Sequence, residues 1–226
     1  MGSPTCRLAG CPASELSGTL FRAQPIVRAQ GEDIFAYELL YRGQHPSRWE
    51  SVDASLLRYL AKYDLGVPLF VNLSNESLCS VDEALVVAAH ERNNVFFEWT
   101  EVLCDDASFT KIARRINVLI EKGMRFVVDD VGTGRDGLER ITELGKVYAA
   151  KIDGRLFHKS RRSAVTRDLL AHMVAWCRDI GILSVAEWVE SEGDGALARQ
   201  LGFDLLQGFH IHRGVSLSGL RTAALA

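Results

Sequence analysis

The sequence has no apolar run approaching the roughly 18 residues that would suggest a membrane span. Its N-terminus also lacks the basic n-region and long apolar h-region of a secretory signal. The most apolar early stretch, Leu16 to Val27, is broken by Arg22, Gln24 and Pro25. Nor is there an excess of positive charge. The 26 Lys and Arg against 29 Asp and Glu leave a net charge of −3, which gives no support to a broad nucleic-acid-binding surface, so no DNA partner is expected. Five cysteines (Cys6, Cys11, Cys79, Cys104 and Cys177) form an odd, dispersed set. That excludes a disulfide-stapled miniprotein and favours reduced thiols in a cytoplasm. Cys6 and Cys11, without a second Cys/His pair nearby, make a weak half-site for a metal, and free thiols in a leader are the preferred reading. There is no linker, low-complexity tract or internal repeat.

What remains is an ordinary globular mixture of 226 residues, 47% hydrophobic and 24% charged. Residues 1–18, rich in Gly, Pro, Ser and Thr with no sustained period, read as a flexible leader, and residues 19–226 as one domain of barrel size. Short β-rich runs occur at Leu20–Ala29, Phe35–Arg42, Leu69–Leu73, Val95–Thr100, Arg125–Asp130, Val147–Ile152, Leu183–Ala186 and Leu205–Ile211. Segments with helical spacing lie between most of them. Val165, Leu169, Met173 and Cys177 recur every fourth residue, flanked by Leu170, Val174 and Ile180. Leu56, Leu57, Leu60 and Ala61 form an earlier stripe, and Ile112, Ile116, Leu119 and Ile120 another. Gly123 and Gly181 stand where helices would stop at a left-handed residue. Several β-like runs are apolar throughout, as in strands buried on both faces of a helix-covered parallel sheet. The pattern predicts an α/β fold, a modified TIM-like (β/α)8 barrel. Only Gln30 to Ile34 join the first two runs, so one strand near the N-terminus should run antiparallel.

Barrel enzymes carry their chemistry at the C-terminal ends of the strands. Those ends here hold Glu38, Asn72, Glu98 (with Glu101 behind it), Asp129-Asp130, Lys151 (with Asp153), Glu187 (with Glu190) and Gln207. Taken singly, an acid after a strand is most often a helix cap and an Asn a turn residue. The joint pattern is harder to explain that way. Carboxylates converging in one mouth repel unless positive charge sits among them. Carboxylates with an Asn carbonyl suit Mg²⁺ or Mn²⁺, and two such ions form a template for in-line attack on phosphorus. Gly132-Thr133-Gly134 alone is a weak glycine-rich loop without a dinucleotide fingerprint around it.

In this order the motifs resemble those of the EAL-domain phosphodiesterases of bacterial cyclic di-GMP signalling, over about residues 20–214. Gln24-Pro25-Ile26-Val27 is similar to the family's opening strand. Glu38-Leu39-Leu40-Tyr41-Arg42 stands at the naming motif, with Leu39 in place of its central Ala. Val71-Asn72-Leu73-Ser74, Glu98-Trp99-Thr100-Glu101, Asp129-Asp130-Val131-Gly132-Thr133-Gly134, Lys151-Ile152-Asp153, Ala186-Glu187-Trp188-Val189-Glu190 and Gln207-Gly208-Phe209 complete the series. The resemblance implies hydrolysis of cyclic di-GMP to linear pGpG with two Mg²⁺ or Mn²⁺ ions, Ca²⁺ inhibiting. Glu38, Asn72, Glu98 and Asp129 would hold one ion, and Asp129, Asp130 and Glu187 the other. Lys151 would position the attacking water or a phosphate oxygen. Glu187 would be the general base, and Glu190 and Gln207 would orient water and substrate. Gln24, Leu40, Arg42 and Asp153 would contact the nucleotide, and Glu101 would brace the loop that couples activity to a homodimer.

Trp188 departs from the family's small Gly, and a bulky indole there would tilt both glutamates or crowd the guanine pocket. Val131 and Arg135-Asp136-Gly137 also depart, as does His210-Ile211-His212-Arg213-Gly214, whose histidines read as alternating along a strand. These departures motivate two rival readings: a catalytically weak or inactive domain acting as a cyclic di-GMP receptor, or a regulator that docks on a protein partner. A weaker third reading is an unrelated carboxylate-rich barrel acting on a carbon acid.

Overall fold

Short runs of apolar, β-branched and aromatic residues become strands, and the amphipathic segments between them become helices. The computed structural model describes residues 20–31, 33–100, 104–132, 137–211, 214–217 and 220. The leader assigned to residues 1–18, with Cys6 and Cys11, lies outside the described residues, as does Glu101. The order is β1 (Phe21–Arg28), β2 (Ile34–Tyr41), α1 (Trp49–Lys62), β3 (Leu69–Leu73), α2 (Asn75–Ser80), α3 (Glu83–Asn93), β4 (Val95–Trp99), α4 (Asp106–Glu121), β5 (Arg125–Val131), α5 (Gly137–Glu143), β6 (Ala149–Ile152), α6 (Gly154–Ser160), α7 (Ala164–Asp179), β7 (Leu183–Ala186), α8 (Glu192–Leu201), β8 (Leu205–Leu206) and β9 (Val215–Ser216).

Strands β2 to β8 follow one another in parallel, and β1 closes the barrel by pairing antiparallel with both β2 and β8. The fold is therefore the expected TIM-like barrel, with the antiparallel strand at the N-terminus. β9 bonds to β1 outside the ring. Among the described residues no helix is long and apolar enough to cross a membrane.

The barrel interior positions everything functional. One residue from each of its strands (Ile26, Ala36, Phe70, Phe96, Val127, Ala149, Val185 and Leu205) forms a separate buried cluster inside the ring. Large residues on β3 and β4 share the ring with small ones on β2 and β6, and the Phe70 and Phe96 rings lie 4.8 Å apart, tilted by 36°. Each buried ring removes apolar surface worth about 1.5–3 kcal/mol from water. The alternate residues of the same strands, such as Val71, Phe97, Val128 and Leu206, face outward into the main core beneath the helices.

Several helices begin at side-chain caps. Ser74, Asp105, Asp153, Ser163 and Ser191 each accept a hydrogen bond from a backbone amide of the first turn. Gly123 and Gly181 are left-handed, with φ of +91° and +75°, and stop the chain after α4 and α7 as their positions imply.

Two expectations are corrected. The buried stripe of α7 is Leu170, Val174 and Cys177, whereas Val165 is 80% and Leu169 51% exposed. The four-residue step drifts around a helix of 3.6 residues per turn, and the sheet selects the neighbouring row. The last strand stops at Leu206 instead of reaching Ile211. Beyond it the chain turns under the β7 exit: the His210 amide donates to the Val189 carbonyl at 3.0 Å, and the Ile211 amide to the Gly208 carbonyl at 3.1 Å. His210 thus sits exposed in a turn and does not alternate along a strand, and His212 lies outside the described residues.

This turn depends on Gly208. A Cβ there would stand 2.1 Å from the Val189 oxygen and 2.3 Å from its nitrogen, both backbone atoms that cannot give way. Gly208→Ala should destabilise the fold by about 1–3 kcal/mol, the range of overpacking against rigid neighbours. Urea denaturation checks this; an unchanged midpoint would contradict the packing described.

Candidate active site

Two residues further along each strand from the apolar ring, toward the C-terminal ends of β2–β8, the interior positions become polar. The period of two returns the side chain to the same face. Ala36 leads to Glu38, Phe70 to Asn72, Phe96 to Glu98, Val127 to Asp129, Ala149 to Lys151, Val185 to Glu187 and Leu205 to Gln207. On antiparallel β1 the step runs backward from Ile26 to Gln24, which lies opposite Glu38 in the register. Asn72 likewise lies opposite Glu98.

The Lys151 ammonium stands at the centre of this upper ring. It lies 3.2 Å from Glu38 Oε2, 3.2 Å from Glu98 Oε2, 3.2 Å from Asp129 Oδ1 and 3.1 Å from Glu187 Oε1. Asn72 Nδ2 donates to Glu38 Oε1 at 2.9 Å, and Gln207 Nε2 donates to Glu38 Oε2 at 2.5 Å. Gln207 also reaches Gln24 Oε1 at 3.5 Å. Above the ring opens a cavity of about 530 Å³ whose walls include Gln24, Leu40, Arg42, Trp188, Glu190 and Phe209.

One ammonium does not balance four carboxylates, and the proton affinities record the mismatch. Burial alone would lower the Lys151 pKa, but the surrounding carboxylates, Asp129 and Glu187 foremost, hold it well above the ordinary value. Burial would raise Glu38, yet Lys151 and the donors from Gln207 and Asn72 bring it below the usual range. Glu98 is pushed well up by burial and by Glu38. Glu187 rises to about 8, chiefly through burial, against the pull of Lys151. Asp130 rises to about 6 through burial and the neighbouring Asp129 and Asp153.

Among the described residues the ring also holds two buried acceptors without a hydrogen-bond donor, Glu98 Oε1 and Gln207 Oε1, while buried Asp129 Oδ1 faces the shared Lys151 ammonium. Such groups are rare in folded proteins and want positive charge or protons. Asp129, Asp130 and Glu187 each bring an oxygen within 4.8 Å of the others. Hard oxygen donors with this charge surplus fit a hard divalent cation.

Other expected residues stand further out. Asp153 caps α6 and is clasped by Arg155, at 2.6 Å from Nη2 and 3.1 Å from Nε, so its carboxylate is engaged within its own turn. Glu190 is on the rim, its amide bonded to Asp194 Oδ2 at 3.0 Å. Asp130 and Trp188, each directly after a ring residue, have φ of +55° and +54°.

Arg140 was not singled out from the sequence. It is fully buried and donates to the backbone oxygens of Asp129 (2.9 Å) and Trp99, tying the ends of β4 and β5 together. Its signal was its place on the stripe of Gly137, Ile141 and Leu144, where a charge is out of character.

Fold and site define a TIM-like barrel with an acidic, lysine-centred cleft at the C-terminal ends of its strands. Residues 49–213 match the EAL domain, and the chain belongs to that family. The match begins after β2, so Gln24, Glu38, Leu40 and Arg42 lie outside it and are joined to the site by the barrel itself. The chain is 28% identical over 176 residues to the oxygen sensor protein DosP of Escherichia coli (strain K12), covering 74% of this chain and 22% of DosP. The chain thus spans under a quarter of that relative's length. Among solved structures it is similar to the EAL enzyme Bd1971 in its cGMP-bound form (TM-score 0.75, 18% identity, 91% of this chain and 64% of that one). It is also similar to Klebsiella pneumoniae BlrP1 in a calcium and cyclic di-GMP complex at pH 8.0 (TM-score 0.71, 25% identity, 88% and 56%).

The raised carboxylates make a pH prediction for the protein in EDTA. The Glu187 pKa is higher in the fold (about 8) than its ordinary 4.5, so the folded state binds this proton more tightly than the unfolded state does. Stability should therefore fall as pH rises from 6 to 8 and level off above, while the Lys151 contribution stays full below its ordinary 10.5. Added Mg²⁺ or Mn²⁺, which takes deprotonated ligands, should raise Tm more at pH 8 than at pH 6. Thermal denaturation at both pH values, with and without the metal, checks the sign. Separately, Arg140→Leu should cost about 2–4 kcal/mol in urea denaturation, since it leaves strand-end carbonyls without their charged donor.

Proposed function

We propose that the protein hydrolyses one phosphodiester bond of cyclic di-GMP to give linear pGpG, in a divalent-cation-dependent reaction. The observation that carries this reading is the surplus of buried carboxylate around the single Lys151 ammonium, with Glu98 Oε1 and Gln207 Oε1 left without a hydrogen-bond donor. An acidic mouth of this kind binds a dianionic nucleotide only with cations between them. That the Klebsiella relative was crystallised with calcium and cyclic di-GMP supports the choice of substrate.

Asp129, Asp130 and Glu187 would hold one Mg²⁺ or Mn²⁺ ion, and Glu38, Asn72, Glu98 and Asp129 a second. Bound divalent ions supply Lewis-acid charge to the phosphate and make water more acidic. The chain's own groups do the rest. Lys151 holds an anionic oxygen of the phosphate or the attacking water, fixed in place by its carboxylate ring. Glu187 takes a proton from the water as the water oxygen bonds to phosphorus; the bond to the 3′ oxygen breaks, and that oxygen takes up a proton from solvent as it leaves. Gln207 and Glu190 orient water and substrate. Gln24, Leu40 and Arg42 form the nucleotide wall, with the Arg42 guanidinium as a fork for phosphate. Asp153, clasped by Arg155, would contact the nucleotide. A homodimer, with Glu101 bracing the loop after Asp130, belongs to the same reading.

Incubation with cyclic di-GMP and Mg²⁺ or Mn²⁺ should yield pGpG, and Glu38→Ala should lower turnover on the order of a thousandfold. Absence of product with either metal at high protein concentration would sink the reading. Tight binding in Ca²⁺ without hydrolysis in Mg²⁺ or Mn²⁺ would instead make the protein a receptor, the reading that Trp188 favours.

A further inference from the structure

Trp188 breaks two rules at once. It is a bulky residue at φ +54°, a left-handed conformation that costs any residue with a Cβ. It is also a large apolar side chain left 49% exposed, on the wall of the cavity above Lys151. Strain that persists in a well-packed structure is held there by its surroundings, and it gathers where a site needs a particular geometry.

The surroundings do hold the indole. It lies against Gly154 at the start of α6, where an added Cβ would meet the indole Cγ at 2.2 Å and Cδ2 at 2.3 Å. Glycine is thus the residue that lets the ring lie down. The His158 imidazole stands edge-on to it, with centroids 5.6 Å apart and planes at 77°. His158 Nε2 also lies 2.8 Å from the Trp188 carbonyl oxygen. Glycine and histidine therefore fix the ring from behind and from one side. The rest of it is presented to the cavity, where Phe209, 59% exposed, is another wall residue.

We infer that the Trp188 indole is a stacking platform for a purine base of the nucleotide, and so a substrate-binding residue of this site. This rests on the proposed nucleotide substrate. Every base has a π-face, and an aromatic ring held in advance loses little freedom when a base lies on it. Trp188 directly follows Glu187, so a base stacked on the indole sets its phosphate over the ring of carboxylates around Lys151. The strain is then the cost of a rigid platform, and it offers a clean test, because glycine relieves it.

Trp188→Gly should have a Tm unchanged or raised by about 2–4 °C. Its Kd for cyclic di-GMP, measured by calorimetry in Ca²⁺, should nonetheless weaken about tenfold. In Mg²⁺ or Mn²⁺ the loss should fall on KM more than on kcat. Trp188→Phe, which keeps a ring, should restore most of the affinity while losing the quenching of tryptophan fluorescence that cyclic di-GMP should cause in the wild type. An unchanged Kd in Trp188→Gly overturns the inference, as does a gain in affinity or turnover, which would make the indole a plug. A wild type that does not bind cyclic di-GMP overturns it as well. If the wild type binds without hydrolysing and the Kd pattern holds, the phosphodiesterase reading fails and the platform stands. If the wild type hydrolyses and Trp188→Gly binds equally well, the reverse is true.

Discussion

The site depends on a step of two residues taken by all the barrel strands in common. At one level the interior is closed by an apolar ring from Ile26 to Leu205; at the next it is lined by Gln24, Glu38, Asn72, Glu98, Asp129, Lys151, Glu187 and Gln207. Phe70, Phe96 and their neighbours form a buried apolar floor, and the cavity opens above the polar ring. Slipping any one strand by a single residue would turn its polar group out under the helices and an outward residue in. Closure of the barrel through antiparallel β1 forbids that slip from both sides of the seam.

From that half-dry setting the electrostatics follow. Four carboxylates surround one ammonium, and the low-dielectric floor sharpens both attraction and repulsion. Glu38, which gathers Lys151, Asn72 and Gln207, is stabilised as an anion. Glu98 and Glu187 are left to share what remains and are driven toward the protonated form. The isolated chain thus stores an electrostatic deficit that a divalent cation would remove. The oxygen donors that make the site costly are of the kind that suits a hard cation.

The exits from the ring carry the remaining tension. Directly after Asp129 and Glu187 the backbone turns through left-handed residues, Asp130 and Trp188. Arg140 fastens the Asp129 carbonyl from beneath, and Gly208 lies against the Val189 backbone just beyond Trp188. Departures from local preference cluster where the geometry of a few oxygens matters, and the packed helices around the barrel hold them there.

Much of this was legible along the chain because it is written in periods and local chemistry. The alternation of apolar runs with helical stripes, the short link between the first two strands, and a polar residue at nearly every strand end gave the barrel, its reversed strand and most of the ring. Other features depend on meetings between distant segments. The row of α7 that faces the sheet is chosen by the sheet, and Val165 looked apolar enough to be inside. β8 ends at Leu206 because the Val189 backbone lies across its path. Asp153 is drawn into Arg155, and Arg140 is a core residue only because two strand ends offer it carbonyls. The sequence by itself determined which residues could face the barrel interior, since side-chain period is a property of the local backbone. Only the tertiary structure decided that four of those acids would share one lysine, because charge repulsion, burial and the hold on Trp188 arise when the closed ring brings remote strands within a few ångströms.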